Sequence, residues 1–356
     1  MKRHHRPQSI VMGISMHADS ITADLRRRRF VGGGAAALAL WPLGGLASSP
    51  AAGAAEPPQA VEEAPYVQTP PALVRRLLQL ADLRPGELLW DLGSGDGRIV
   101  IAAARDFGAR GVGYDIDAAL VEQSRASARR ARLGGRARFF ERDVLTLDFS
   151  GAAAPEVVTL YLLPELNLAL KPKLLEQLRP GARVLSVDWD MGADWPPDET
   201  LVVPYAGKPH GRERSYRLML WVVPAAVGGR WRVGIDAVRA RLAGALGQRA
   251  RAELDGLQLA IAQQRQQLTV QAERGQLLWA QLRGTTLELA WRDAAAGSRP
   301  WRLQGTLSPA LAARQARPAE RWRGSLAPLG AWGNSDEAFD RPSSRALRFV
   351  AERLGD

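Results

Sequence analysis

From Tyr66 to Pro224, short apolar runs alternate with segments whose apolar residues recur every three or four positions. That rhythm predicts strands and helices in turn, and so an α/β layer built on a mainly parallel sheet. Pro70 and Pro71 open a helix whose apolar side carries Leu73, Val74, Leu77, Leu78 and Leu80. ELLWDLG (87–93) reads as a first strand, RIVIAAARDFG (98–108) as a helix stopping at Gly108, and GVGYDID (111–117) as a second strand. An arginine-rich helix over 118–133 leads to the strands ARFFERD (137–143) and VVTLYLL (157–163). A helix containing Pro172 (166–178) precedes a fifth strand, ARVLSVDWD (182–190). ETLVVPY (199–205) and RSYRLMLWVVP (214–224) then pair as an antiparallel hairpin, which brings the expected sheet to seven strands.

Beyond Pro224 the pattern changes. LQLAIA, QLTVQAE, TLELAW, WRLQGTL and RWRGSL are short and alternate with period two, so that Leu257, Leu259 and Ile261 share a face, as do Leu287, Leu289 and Trp291. The expectation for 225–356 is a small antiparallel β domain, a meander of five to eight strands with one face packed and one wet. A terminal helix is expected within DEAFDRPSSRALRFVAERLGD (336–356). Trp279, Trp291, Trp301 and Trp322 belong mostly to its core, and an exposed one would suit a protein or envelope partner.

The first 54 residues follow a third grammar. Arg26 to Arg29 precede Phe30, Val31 and a weakly apolar, glycine-rich stretch that ends in ASSPAAGAA, with Ala52-Gly53-Ala54 as a small-x-small cleavage site. The apolar part is short and gives way to small residues, which is the layout of a signal peptide rather than a spanning helix. Arg-Arg-x-Phe-Val is similar to the twin-arginine signal, which implies the twin-arginine export machinery as a partner. It implies a periplasmic or inner-membrane-associated destination, with a cytoplasmic protein as the alternative. Residues 55–64, rich in Pro, Ala and Glu, are a linker.

Composition narrows the chemistry. The 356 residues include no cysteine and four histidines: His4, His5, His17 and His210. Disulfides, thiolate metal sites and a cysteine nucleophile are thereby excluded, and no metal site is expected. Of the net charge of +11, residues 1–54 carry +5, seven Lys and Arg against two Asp. The rest is arginine dispersed along the chain, a solvated surface rather than a nucleic-acid footprint.

The stretch that decides function is DLGSGDGR. Asp91-x-Gly93-x-Gly95-x-Gly97 lies between a strand and a helix, where glycine allows positive φ and close approach of backbone to ligand. A dinucleotide site would have G-x-G-x-x-G, with pyrophosphate at the helix N-terminus. Here the spacing is G-x-G-x-G, and Asp91 would repel pyrophosphate but suit a positive amine such as that of S-adenosylmethionine (SAM). The second strand ends in Asp115, placed to accept ribose hydroxyls, and the third in Asp143, placed to meet the adenine amino group. Asp117 reads as a helix cap.

These motifs resemble the class I SAM-dependent methyltransferases, which implies a Rossmann-like seven-stranded sheet over 65–224. PYVQTP (65–70), DLGSGDGRIVIAAA, GYDID, VVTLYLLPELNLALKPKLLEQLRPGARVLS and DMGADW are similar to one branch, the archaeal broad-specificity protein-lysine methyltransferases and their mitochondrial relatives. The resemblance implies that Tyr66, Thr69 and Pro70 form a lid over the cofactor. It implies that Asp91, Gly93, Gly95 and Gly97 hold its aminoacyl part, and that Tyr161 stands on the acceptor side. Tyr66, Tyr161 and Trp189 are candidates for holding a cationic amine by their faces. Asn167 reads as part of the helix start or as an acceptor contact. The chain departs from that branch at Val187 and within DMGADW, both on the acceptor side. Three function classes therefore stand: a methyltransferase acting on protein lysine, a small-molecule methyltransferase of the same fold, and a non-catalytic envelope protein that keeps the fold.

Overall fold

The structure, a computed structural model of the chain, describes residues 67–208, 214–295, 297–308, 320–329 and 347–354. Tyr66, the leader and the linker lie outside the described residues, and with them the expectations placed there. Two sheets organise the rest, both within one compact unit, Gln59–Asp356.

The first sheet comprises β1 (Leu88–Leu92), β2 (Arg110–Asp115), β3 (Ala137–Glu141), β4 (Val157–Leu160), β5 (Arg183–Val187), β6 (Glu199–Pro204) and β7 (Ser215–Val222). Their order is β3-β2-β1-β4-β5-β7-β6. The first five are parallel, and β7 runs antiparallel to β5 and to β6, as the hairpin pattern requires. The seven-stranded Rossmann-like sheet expected from the sequence is therefore the one found. Its strand order reverses between β1 and β4, and the crevice outside the strand ends at such a point is where α/β sheets bind ligands.

Alternation within β1 explains the layering. Leu89 packs with α1 (Pro71–Leu80), α2 (Arg98–Asp106) and α3 (Ala118–Arg130), through Leu73, Leu77, Ile99, Val100 and Val121. Its neighbour Trp90 faces the opposite layer, where Leu170 and Leu174 of α4 (Pro164–Gln177) pack with Val158 and Trp221. Helix α1 starts with Pro at its first position, where a missing N–H costs nothing. Full burial of Leu77 and Leu78 contributes about 1.5–3 kcal/mol each.

The second sheet has eight strands: β8 (Gly229–Ile235), β9 (Gln258–Gln264), β10 (Gln267–Ala272), β11 (Gln276–Arg283), β12 (Thr286–Arg292), β13 (Trp301–Ser308), β14 (Arg321–Pro328) and β15 (Leu347–Arg353). All its pairings are antiparallel, in the order β10-β9-β8-β15-β14-β13-β12-β11. The meander is there, with two corrections. Helices α5 (Ala237–Leu242) and α6 (Gly244–Leu254) interrupt it, the first capped by Asp236, whose Oδ1 accepts from Val238 N and Arg239 N. Their dispersed arginines had blurred the 3.6-residue period. The expected terminal helix is instead strand β15, because Leu347, Phe349 and Ala351 alternate into the core while β14 and β8 pair with it on either side.

Trp231, Trp291, Trp301 and Trp322 are fully buried here, and each indole N–H donates: to Val227 O, Arg274 O, Glu253 Oε2 and Leu287 O. Trp279 alone of the four expected tryptophans is exposed. The second sheet packs back on the first. Ala225 N donates to Gly284 O (2.8 Å), Gln266 Nε2 donates to Pro196 O (2.6 Å), and a Cβ on Gly284 would lie 2.7 Å from Val222 Cγ1.

Candidate active site

The loop after β1 turns through three glycines of positive φ: Gly93 (76°), Gly95 (53°) and Gly97 (80°). The N–H groups of Gly93 and Ser94 both donate to Tyr114 O, which staples the loop to β2. Gly95 N donates to Asp115 Oδ2 (2.7 Å), and Ser124 Oγ of α3 donates to Gly95 O (2.8 Å). The loop is thus held from two elements before any ligand arrives. It opens on a cavity of about 620 Å³ lined by Thr69, Asp91, Gly93, Gly95, Asp115, Asp143 and Tyr161.

Gly97 departs from the expected group. It does not line the cavity; a Cβ there would lie 2.7 Å from the Phe139 ring and 2.9 Å from Ser124 Cβ, so this glycine serves the packing of loop on sheet and helix. Gly113 is a residue that sequence reasoning missed. A side chain on it would strike Phe139 Cδ1 and Ser94 Oγ, at 2.5 and 2.6 Å. Its signal was a glycine in the middle of a buried strand, where a close approach is the usual cause.

Asp91 is buried, and its Oδ1 accepts from Thr159 Oγ1 of β4 (2.7 Å). Burial pushes its carboxyl from 3.8 up to about 7; the Thr159 hydroxyl opposes the shift, and the nearby Asp115 and Asp96 charges add to it. Asp115 accepts from Gly95 N and, through Oδ1, from Asp117 N (3.0 Å). Asp117 caps α3 by accepting from Ala119 N and Leu120 N, the role its position suggested. Strand β3 stops at Glu141, so Asp143 lies beyond it and not at its end. There it caps a single 3₁₀ turn, Val144–Thr146, at the cavity rim. Arg98, also unforeseen, pairs with Asp96 and donates through Nη1 to Thr69 O (2.7 Å), tying the segment before α1 to the glycine loop.

Five carboxylates, those of Asp91, Asp96, Asp115, Asp117 and Asp143, face this cavity, against Arg98 and Arg142. Such a field, with bare backbone at Gly93 and Gly95, fits a ligand with a cationic amino-acid end and hydroxyl groups, and repels a pyrophosphate.

Tyr161, just past β4, forms the wall toward β5 and β7. Its hydroxyl stands 3.5 Å from Asp188 Oδ2, at the outer limit of a hydrogen bond, and burial followed by the Asp188 charge raises its pKa. Asp188 takes a left-handed φ of 66°. Its Oδ1 accepts from Arg217 N (3.0 Å), and its Oδ2 meets Lys208 Nζ at 2.8 Å. Lys208 also donates to Ser215 O (2.9 Å) and lies 4.8 Å from the centre of the Tyr216 ring. Asn167 is fully buried and donates to Ser186 Oγ and Trp189 O, so it fixes the turn after β5 and does not line the cavity. Trp189 is 42% exposed, in neither the core nor the cavity wall.

A reversed-order parallel sheet with an antiparallel seventh strand, a strand–glycine-loop–helix turn and an acid in β1, at the end of β2 and just past β3 define a class I SAM-dependent methyltransferase. Comparison with known proteins agrees. The family described as the ANTKMT methyltransferase domain matches residues 91–199. A protein-lysine N-methyltransferase of Saccharolobus islandicus is 38% identical over 144 residues, which cover 40% of this chain and 87% of that protein. An adenine nucleotide translocase lysine N-methyltransferase of Mus musculus is 34% identical over 124 residues, 35% of this chain and 52% of that protein. An RNA methyltransferase of Salinibacter ruber, solved with S-adenosyl-L-homocysteine, shares 44% identity over 45% of this chain and 96% of its own, with a TM-score of 0.40. The chain belongs to the family of protein-lysine methyltransferases that the first of these relatives represents. The family match ends at residue 199, so the second sheet lies outside it.

Proposed function

We propose that this chain methylates lysine side chains of proteins, with SAM as donor. The observation that supports it most is the alignment with a protein-lysine enzyme across 87% of that enzyme's length. When bound, SAM supplies a methyl group on a sulfonium, an electrophile with a good leaving group already in place. The protein's task is then chiefly to orient the partners.

In this reading Asp91 pairs with the amino group of the donor, and Gly93 and Gly95 let the backbone approach its amino-acid part. Asp115 accepts the ribose hydroxyls with the lone pairs that its two backbone donors leave over. Asp143 meets the adenine amine at the rim, and Thr69 covers the donor. Tyr161 faces the acceptor. A lysine must lose a proton before it can attack, because its ordinary pKa is about 10.4. Aromatic and carboxylate groups on the acceptor side hold the amine, and its proton passes to bulk water before the attack. We also propose that residues 1–54 direct twin-arginine export, which places the acceptor in the cell envelope; the support is the Arg-Arg-x-Phe-Val pattern ahead of an apolar stretch ending in small residues.

The test is to incubate the purified protein with methyl-labelled SAM and a cell-envelope extract, then to hydrolyse the protein fraction. Label in N-methylated lysine is the expected result. Label confined to small molecules refutes the protein-lysine reading and favours a small-molecule acceptor.

A further inference from the structure

Lys208 lies on the connection between β6 and β7, yet its side chain is only 12% exposed, with its ammonium against the equally covered side chain of Asp188. A buried pair of this kind contributes little to stability, because desolvating both charges offsets their attraction. Its surroundings are more informative. Asp188 Oδ2 faces both Lys208 Nζ and the hydroxyl of Tyr161, and Tyr161 is itself a wall of the donor cavity. The Tyr216 ring sits edge-on to Tyr161, with centres 6.5 Å apart, and presents its face to the ammonium. The Tyr216 hydroxyl is buried and has no hydrogen-bond partner among the described residues. Asp188 takes a left-handed backbone conformation, which aspartate adopts more readily than most residues with a side chain.

One carboxylate oxygen and one aromatic face, one residue away from the donor cavity, make a receptor for an alkylammonium. The lysine that fills it belongs to the chain itself. We propose that Asp188, Tyr161 and Tyr216 form the acceptor-amine subsite, and that Lys208 is its internal occupant, a pseudosubstrate that an incoming lysine displaces. This rests on the protein-lysine reading. It adds which residues receive the amine and why the resting enzyme holds that place filled.

Two measurements on the full chain test it. The first is titration of n-butylammonium, the lysine side chain without its backbone, onto wild type and Lys208→Met in the presence of S-adenosylhomocysteine. Lys208→Met is expected to bind at least tenfold more tightly and to methylate poly-L-lysine faster, and adding Asp188→Asn to it is expected to remove the gain. A folded Lys208→Met that binds butylammonium no better than wild type overturns the proposal. The second measurement needs no variant. Lys208 acylation by an amine-specific reagent is followed by mass spectrometry with and without saturating butyltrimethylammonium. Displacement predicts a severalfold rise at Lys208 relative to Lys171 and Lys173; unchanged labelling overturns the proposal even if Lys208→Met does not fold. Transfer to poly-L-lysine at the same rate by wild type and Lys208→Met removes only this inference. Absence of transfer to any protein amine by either removes the lysine reading and this inference with it.

Discussion

Replacing Asp91 by Asn should stabilise the ligand-free protein while abolishing its response to SAM. The carboxyl is buried, and its pKa rises from 3.8 to about 7. A group whose folded pKa lies above its unfolded value favours the fold at low pH. That contribution is lost as pH climbs from about 4 to about 7. At pH 8 the ionised carboxylate therefore costs the empty fold about 4 kcal/mol, three pH units at about 1.4 kcal/mol each. An amide keeps the size of the group and can still accept from Thr159, but its N–H groups need partners of their own. A net gain of about 2–4 kcal/mol at pH 8 is expected, falling to nothing near pH 4. Thermal denaturation of both proteins at pH 4, 6 and 8, with and without SAM, measures it. Wild type should melt lower than the variant at pH 8 and gain stability with SAM, whose amine supplies the missing countercharge; the variant should show neither behaviour. The same coupling makes SAM affinity fall as pH drops below about 7. A variant that melts below wild type at pH 8, or a difference independent of pH, would falsify the assignment of Asp91 as the buried anchor of a cation.

Gly97→Ala should destabilise by about 2–5 kcal/mol in chemical denaturation, combining positive-φ strain with overpacking against Phe139, with SAM affinity retained by whatever remains folded. Truncation after Ala226 is expected to leave SAM binding within about tenfold of wild type, measured by calorimetry, since no cavity residue lies beyond it. Its melting temperature should fall, because Val222 and the backbone of Ala225 lose their partners around Gly284. Arg27→Lys with Arg28→Lys should keep the protein in the cytoplasm with its fold unchanged; normal periplasmic recovery in a fractionation assay would count against twin-arginine export.

What could be read from the chain in advance was whatever local pattern dictates. Asp91, the glycine loop and Asp115 announce themselves because strand, turn and helix follow within a few residues. The hairpin β6–β7 shows in its alternation. Features set by distant packing did not show. Gly97 looks like its two neighbours in sequence, and only the Phe139 ring, supplied by another strand, gives it a different task. Asp188 and Lys208 lie on separate elements and meet only because β7 threads between β5 and β6. Strand β15 read as helical because its charged residues obscured a two-residue rhythm that pairing on both sides enforces.

The placement of β15 orders the events of folding. In the first sheet β2, β3 and β5 are each laid beside the strand just before them, and β4 returns across the intervening strands to β1. In the second sheet, β8 finds one of its two partners only when Phe349 reaches Ile235, roughly a hundred residues later in the chain, and such remote closure is slow. The methyltransferase body can therefore assemble early, while β8 waits with one edge bare beside a sheet that lacks its central stave. A chain arrested at that stage presents an open, pairing-competent strand, and the second sheet, not the catalytic one, is where misassembly would begin.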